Sequence, residues 1–262
     1  VRVNHVVPGG EYGWRSGASK WPDYYFDSLP STVDVGRGSP TGVCFYHHNT
    51  FPEKYQDAFF IADWSQGKIL AVHHTPDGST YKGEAEVFVT GNPLNVSDIV
   101  VGPSGDLYFC LGGRGTEGGI YRITPDNPAT AAKPKSNSPV ERALALPQPS
   151  AAWTRAKVKE LKKEAGDKWR PGLVKVAAYP ARSVKDRLRA VGILQQFGDG
   201  PPRGLLVDLS TDKQPQLRGF ALTLLAIQID DQAQDIIVGA LADPSPVVRR
   251  RAAGAVDQVS LA

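Results

Sequence analysis

The pattern of apolar and polar positions in this chain changes period near residue 125. Before that point the apolar positions fall in short runs. Residues 42–46, 58–64, 68–73 and 86–90 are rich in aromatic and β-branched side chains, with turn-forming residues between them. Such runs predict strands, and 65–67 and 75–79 carry turn chemistry. Residues 95–124 add three more strands, at 99–101, 107–111 and 120–123. Turns at 103–105 and in the glycine-rich stretch 112–119 separate them. Four strands followed by three predict radially repeated sheets, the blades of a β-propeller. Closure takes at least about four blades, so further blades are expected upstream of Val1.

Residues 126–150 are rich in Pro, Ala and Ser and predict a linker. From there the period is helical. Residues 151–165 put Trp153, Val158 and Leu161 on one side and lysines around the rest. Similar units recur at 186–194, 215–225 and 246–256. Aligned on Leu188, Leu217 and Val248, they are spaced by 29 and 31 residues. That recurrence predicts a helical-repeat solenoid over 151–262, cut short at its C-terminal end.

Charge divides at the same boundary. Residues 1–126 carry 9 Lys and Arg against 14 Asp and Glu, whereas 127–262 carry 21 against 13. Of the 23 aromatic residues, 18 lie in the first part. Two domains of different class follow from this, 1–125 and 151–262. No apolar run approaches the ~20 residues that span a membrane. The chain has no Met, which predicts an internal piece of a longer protein.

Several residues could carry chemistry. Asp63 and Trp64 end a predicted inner strand. They could hold a sugar between a carboxylate and an indole face, or simply brace a turn. Arg114 sits on the loop Gly112, Gly113, Arg114, Gly115, Thr116, where glycines let backbone approach a ligand. It could clamp an anion or bond loop carbonyls. Asp98 reads as a strand-entrance acid that braces a turn or meets a ligand. His5, beside Pro8, Gly9 and Gly10, is a further binding candidate. The pairs His47–His48 and His73–His74 cannot chelate as units, because neighbours on a strand point to opposite faces. No metal site is therefore expected. Cys44 and Cys110 form no zinc or haem motif, leaving buried thiols or one disulfide between sheets. The arginines 249–251 could touch nucleic acid, but a solvated helix face or bracing between repeats fits better. Stacking aromatics are scarce there.

Residues 4–15, with Tyr12, Gly13 and Trp14, resemble the Tyr-Gly-Trp motif of glucose/sorbosone dehydrogenase-like propellers. Residues 39–46, 51–52 and 60–69 resemble the blade that follows, and 98–108 with 119–123 the closing blade. The Gly-Gly-Arg-Gly-Thr loop, the linker and the helical repeats resemble a planctomycete-type subgroup with HEAT-like repeats. That subgroup is often associated with haem-binding domains and membrane-bound dehydrogenases. The resemblance implies a six-bladed propeller and oxidation of a sugar or alcohol, with hydride passing to pyrroloquinoline quinone (PQQ) in the presence of calcium. It also implies a periplasmic or secreted location. In the family, cations pair with the PQQ carboxylates. At the corresponding positions this chain has Ser65, Asn95 and Ser97. The alternative is a non-catalytic propeller that binds carbohydrate or protein, with the helical repeats as an interaction scaffold.

Overall fold

The computed structural model describes residues 1–13, 25, 27–113, 115, 117–128 and 134–259. The strands form three antiparallel sheets. β1 (Arg2–Val3) pairs with β2 (Val33–Asp34). β3 (Pro40–Phe45), β4 (Phe59–Asp63), β5 (Lys68–Asp77) and β6 (Thr80–Thr90) form a four-stranded meander. β7 (Val96–Val101), β8 (Leu107–Leu111) and β9 (Gly119–Ile123) form a three-stranded one.

The aromatic and aliphatic runs make these strands because alternate residues can enter a shared core. Phe60, Ala62, Ile69 and Ala71 from the larger sheet are buried against Ile99, Val101, Leu107 and Phe109 from the smaller one. Tyr46 closes this core, and its hydroxyl donates to the Gly105 carbonyl at 2.7 Å. The β5–β6 hairpin is longer than the sequence pattern suggests. Asp77 pairs with Thr80, so the turn shrinks to Gly78 and Ser79, with Gly78 at φ 56°. The ladder continues through polar residues because two paired strands satisfy their backbone groups whether or not a side chain is buried.

The propeller expectation is corrected here. Among the described residues no propeller is closed: the three sheets are separate and open. The two larger sheets pack through one common core, and no run of blades closes a ring. The six-bladed architecture implied by the resemblance is therefore not the fold of this chain. The membrane-bound association is corrected as well. No described helix is long and apolar enough to cross a membrane.

The C-terminal part is a bundle of helices. α1 (Pro139–Ala145) lies inside the Pro-rich stretch read as a linker. Ser138 starts it, its Oγ accepting from Glu141 N at 3.3 Å. α2 (Ala152–Ala165) and α3 (Trp169–Ala178) follow, then α4 (Val184–Phe197), α5 (Arg203–Ser210) and α6 (Pro215–Leu225). α7 (Asp231–Gly239) and α8 (Pro246–Val259) complete the bundle. Leu173, Leu194, Leu206, Leu222 and Ile237 belong to one continuous buried core.

Charge pairs set the repeat in this bundle. Arg187 Nη2 meets Asp212 Oδ2 at 2.6 Å, and Arg218 meets both Asp243 oxygens at 2.8 Å. Arg218 Nη1 also donates to the Asp212 carbonyl, as Arg249 Nη1 does to the Asp243 carbonyl, each at 2.7 Å. Arg187, Arg218 and Arg249 are thus equivalent, and both spacings are 31 residues. Alignment on Leu188 and Leu217 was two residues out. The buried alanines Ala190, Ala221 and Ala252 fall in the same register and allow close helix approach. The solenoid expectation gives way to a helical bundle held by this arginine–aspartate ladder.

The two parts touch through specific bonds. Gln148 Nε2 donates to the Phe45 carbonyl at 3.1 Å, and its Oε1 accepts from His47 N. At the hairpin tip, Arg250 Nε donates to the Ser79 carbonyl at 2.8 Å.

Candidate functional site

Asp63 lies at the end of β4 and is buried. Its Oδ1 accepts from Ser39 N at 3.0 Å and from Ser65 N, Ser65 Oγ and Gln66 N at 3.1 Å. A carboxylate engaged in this way holds the 64–67 turn and the entry to β3. A Cβ at Gly38 would lie 1.9 Å from Asp63 Oδ2, so glycine is required there for the close approach.

Trp64 is half-buried. Its indole N–H donates to the Gly112 carbonyl at 2.7 Å, while its own carbonyl accepts from Asn95 Nδ2 at 2.9 Å. The ring supports Gly113, which sits at φ 134° and has room for no Cβ: one would lie 2.8 Å from the indole. Trp64 therefore fastens the β8–β9 loop to the larger sheet. Arg114, the loop's cation, lies outside the described residues.

Asp98 is on β7. Its Oδ1 accepts from the Ile99 amide at 2.8 Å and lies close against Gly42. Thr41 Oγ1 donates to the Val96 carbonyl at 2.6 Å. Asp63 and Asp98 thus lie on either side of β3, and the Thr41 bond joins the two sheets there. Cys44 and Cys110 are both free thiols. Burial, then the Asp98 charge, pushes the Cys44 thiol up to about 12.

His5 stands elsewhere, at the hairpin tip. Its Nδ1 is 3.1 Å from Thr80 Oγ1, and its ring meets Tyr81 edge-on at 5.1 Å. Burial, then the charges of Arg250 and Arg251 and a contribution from His74, lowers its pKa. The neighbouring His74 is 3.2 Å from Thr32 Oγ1 and is also lowered, chiefly by burial. The other histidines are used locally. His73 Nε2 meets Glu86 Oε1 at 2.9 Å, and His47 Nδ1 meets Asp57 Oδ1 at 2.7 Å. No group of three His, Cys, Asp or Glu among the described residues is placed to hold a metal ion.

Sequence reasoning did not single out one large concavity. A cleft of about 1560 Å³ lies between the helical bundle and the loops at 47–50 and 103–104. α4 lines it with Lys185, Arg189 and Gln196, one face of a helix at spacings of four and seven residues. α6 contributes Phe220, α2 contributes Trp153, and the hairpin contributes Tyr81. The signal was present in the sequence as Arg187 and Arg189, two arginines on either side of Leu188. Only their opposite fates in the fold separate them. Arg187 is buried in the ladder, and Arg189 faces the cleft.

No protein-family model matches the chain, and no curated protein sequence matches it. Among solved structures it is similar to a putative oxidoreductase (glucose dehydrogenase) from Thermus thermophilus. The two are 18% identical over 45% of this chain and 35% of that one, with a TM-score of 0.35. The chain thus spans about a third of that protein's length. A distant likeness to an oxidoreductase stands as a finding, and a score that low carries no argument about activity. Membership of the glucose/sorbosone dehydrogenase-like family with HEAT-like repeats is corrected accordingly. The motif resemblances are not backed by a family match or by a closed propeller.

The residues at these positions also do not fit PQQ. Ser65 donates to Asp63, Asn95 donates to the Trp64 carbonyl, and Ser97 Oγ donates to the Cys110 carbonyl at 3.2 Å. Three neutral side chains engaged within the fold leave those positions without cations for the carboxylates of PQQ.

Proposed function

We propose that this chain is a non-catalytic binding module whose ligand is a segment of a partner protein held in the cleft between the sheets and the helical bundle. The observation that carries this reading is the cleft itself. At about 1560 Å³ it exceeds the ~300–1,000 Å³ usual for small-molecule pockets, and helices α1, α4 and α6 form one wall of it. The bonds of three site candidates support the same reading. Asp63 and Trp64 spend their polar atoms on turn and loop, and His5 packs at a contact between the two parts.

The competing reading is oxidation of a sugar or related alcohol with hydride transfer to a bound quinone, in a periplasmic or secreted protein. It draws support from the motif order at 4–15, 39–69 and 98–123 and from the expectation that Arg114 clamps an anion. Two measurements on the same protein decide between them. Dye-coupled oxidation of aldoses and alcohols is assayed with PQQ and calcium, and peptide and glycan arrays are probed in parallel. Peptide signals without turnover are expected. PQQ-dependent turnover would overturn the binding reading, and glycan signals alone would redirect it to carbohydrate.

A further inference from the structure

Five arginines of the bundle are matched to acids: Arg142 to Glu164, Arg182 to Glu141, Arg187 to Asp212, Arg203 to Asp230 and Arg218 to Asp243. Arg189 is not. Its Nε is buried without a hydrogen-bond partner, and no acid of the described residues pairs with it. Burial alone pulls its pKa down to about 10, with no anion to push it back. A guanidinium is taken out of water only at a large cost unless an anion meets it. The fold could have avoided this by turning the side chain outward, as it does with the exposed lysines of α2. One turn before Arg189 on the same face, Lys185 is exposed at the cleft and is also without an acid partner.

The rest of the wall defines what the anion is attached to. Trp153, Leu188 and Phe220 are partly buried and present apolar and aromatic surface beside the cation. Three carboxylates also line the cleft: Asp57, Glu141 and Asp186. Local cations hold two of them, with Lys135 Nζ on Asp186 and Arg182 on both Glu141 and Asp186, and His47 meets Asp57. With Lys135 and Arg182 engaged by these acids, Arg189 and Lys185 suit isolated negative charges better than a continuous polyphosphate. Charge complementarity therefore favours a peptide with acidic and apolar residues interleaved over a nucleic acid.

We infer that the cleft binds an extended acidic peptide segment of a partner protein, with one of its carboxylates pairing with Arg189 and a neighbouring apolar side chain resting on Trp153 and Phe220. This rests on the binding reading above and adds the ligand's chemistry to it.

The test uses the full chain and a fluorescein-labelled dodecapeptide of interleaved Glu and Phe, with a twin in which Gln replaces every Glu. Fluorescence anisotropy should show the acidic peptide binding at least about tenfold more tightly than its twin, since bonds to a charged group are the strong ones. Arg189→Gln should weaken the acidic peptide by about tenfold or more and leave the twin unaffected. Its melting temperature should hold or rise, because an uncompensated charge has been removed. A purely structural arginine would lose stability instead. Lys162→Gln, outside the cleft on α2, should change nothing. Hydrogen exchange of the unmutated chain gives an independent reading, with peptide-induced protection expected at 185–196 and 216–220.

Equal binding of both peptides with the cleft protected would sink the acidic-peptide inference and spare the binding reading. No binding of either peptide, or displacement by a single-stranded oligonucleotide but not by excess unlabelled peptide, would overturn the inference. PQQ-dependent turnover is the separate outcome that removes the binding reading itself.

Discussion

Replacing Arg187 with Met tests whether the charge ladder or the apolar core sets the helical repeat. The Arg187 side chain is 4% exposed and its partner Asp212 14%. Nε donates to the Ala177 carbonyl at 2.8 Å and Nη2 to Asp212 Oδ2 at 2.6 Å. Methionine preserves most of the stem's packing and removes both bonds. The cost is dominated by what is left behind, an acid with its principal cation gone and a buried carbonyl without a donor. Breaking a buried pair from one side costs about 3–5 kcal/mol. Asp212 keeps a bond from the Gln214 amide at 2.8 Å and some water, so the lower end, about 3 kcal/mol, is expected. Urea unfolding followed by far-ultraviolet circular dichroism reads this as a lower midpoint at unchanged slope. Adding Asp212→Asn to Arg187→Met should recover about half of the loss, because the orphaned charge is gone. Arg142→Met provides the contrast. Its pair with Glu164 is 32% and 50% exposed and is worth under about 1 kcal/mol. A loss at Arg187 no larger than at Arg142, or no recovery in the double variant, would refute the ladder as the device that sets the repeat.

Three further outcomes follow from the sheets and the contact between the two parts. Gly42→Ala places a Cβ 2.8 Å from the Asp98 Cα and the Ile99 amide, so β7 must shift. A loss of about 1–3 kcal/mol, read by thermal melting, is expected, and an unchanged melting temperature would contradict the tight sheet junction. Trp64→Phe removes the donor to Gly112 and should cost about 1 kcal/mol while increasing proteolytic cleavage in the 112–119 loop; equal cleavage would dismiss Trp64 as the loop's fastener. His5 has a lowered pKa, so the unfolded chain takes up its proton first as pH falls. Its stabilisation is complete above about pH 6.5 and is lost as pH falls from there toward the lower folded value. Melting temperatures from pH 8 to pH 5 should fall less steeply in His5→Gln, and parallel curves would remove His5 from the pH response.

The strands were legible because each is a short apolar run closed by turn residues. β4, β7 and β8 lie within a residue or so of where the side chains put them, apart from the N-terminal extension of β7. Closure was not legible. It depends on how sheets pack across many residues, and a run such as 107–111 looks the same in a ring as in an open pair. The helices split by composition. α4 and α6 carry dense apolar repeats, whereas α1, α5 and α7 begin among Pro, Gly and Asp residues that read as loop. What the site candidates bond to could not be read from the sequence for a physical reason. A carboxylate after a strand, such as Asp63, can turn to a ligand or to the amides of the next turn, and the amides are closer. Arg189 escaped notice for the converse reason. Sequence shows that a cation is present but not which acids fall within reach of it.

The 31-residue register separates the positions that build the bundle from those free to serve a ligand. Arg187, Arg218 and Arg249 occupy one repeat position and are the same residue, each bonded to the same kind of acid or carbonyl. Ala190, Ala221 and Ala252 occupy another and are all buried alanine. Two residues after each arginine the position is held by Arg189, Phe220 and Arg251, so the side chain there is not constant. Arg189 and Phe220 both line the cleft, while Arg251 approaches Gly219, where a Cβ would lie 3.2 Å from its Cγ. A position under packing constraint repeats its side chain, as the first two do. A position facing a groove keeps only its direction, so its side chain can follow what lies opposite. Cation beside aromatic is what this third position offers along the cleft, and a segment that alternates acid and apolar groups is the matching pattern. Exchanging Arg189 and Phe220 in one chain should therefore shift the preferred spacing of the acid and keep the bundle's arginine–aspartate ladder intact. Loss of the ladder's stability in that exchange would show that the position belongs to the packing after all.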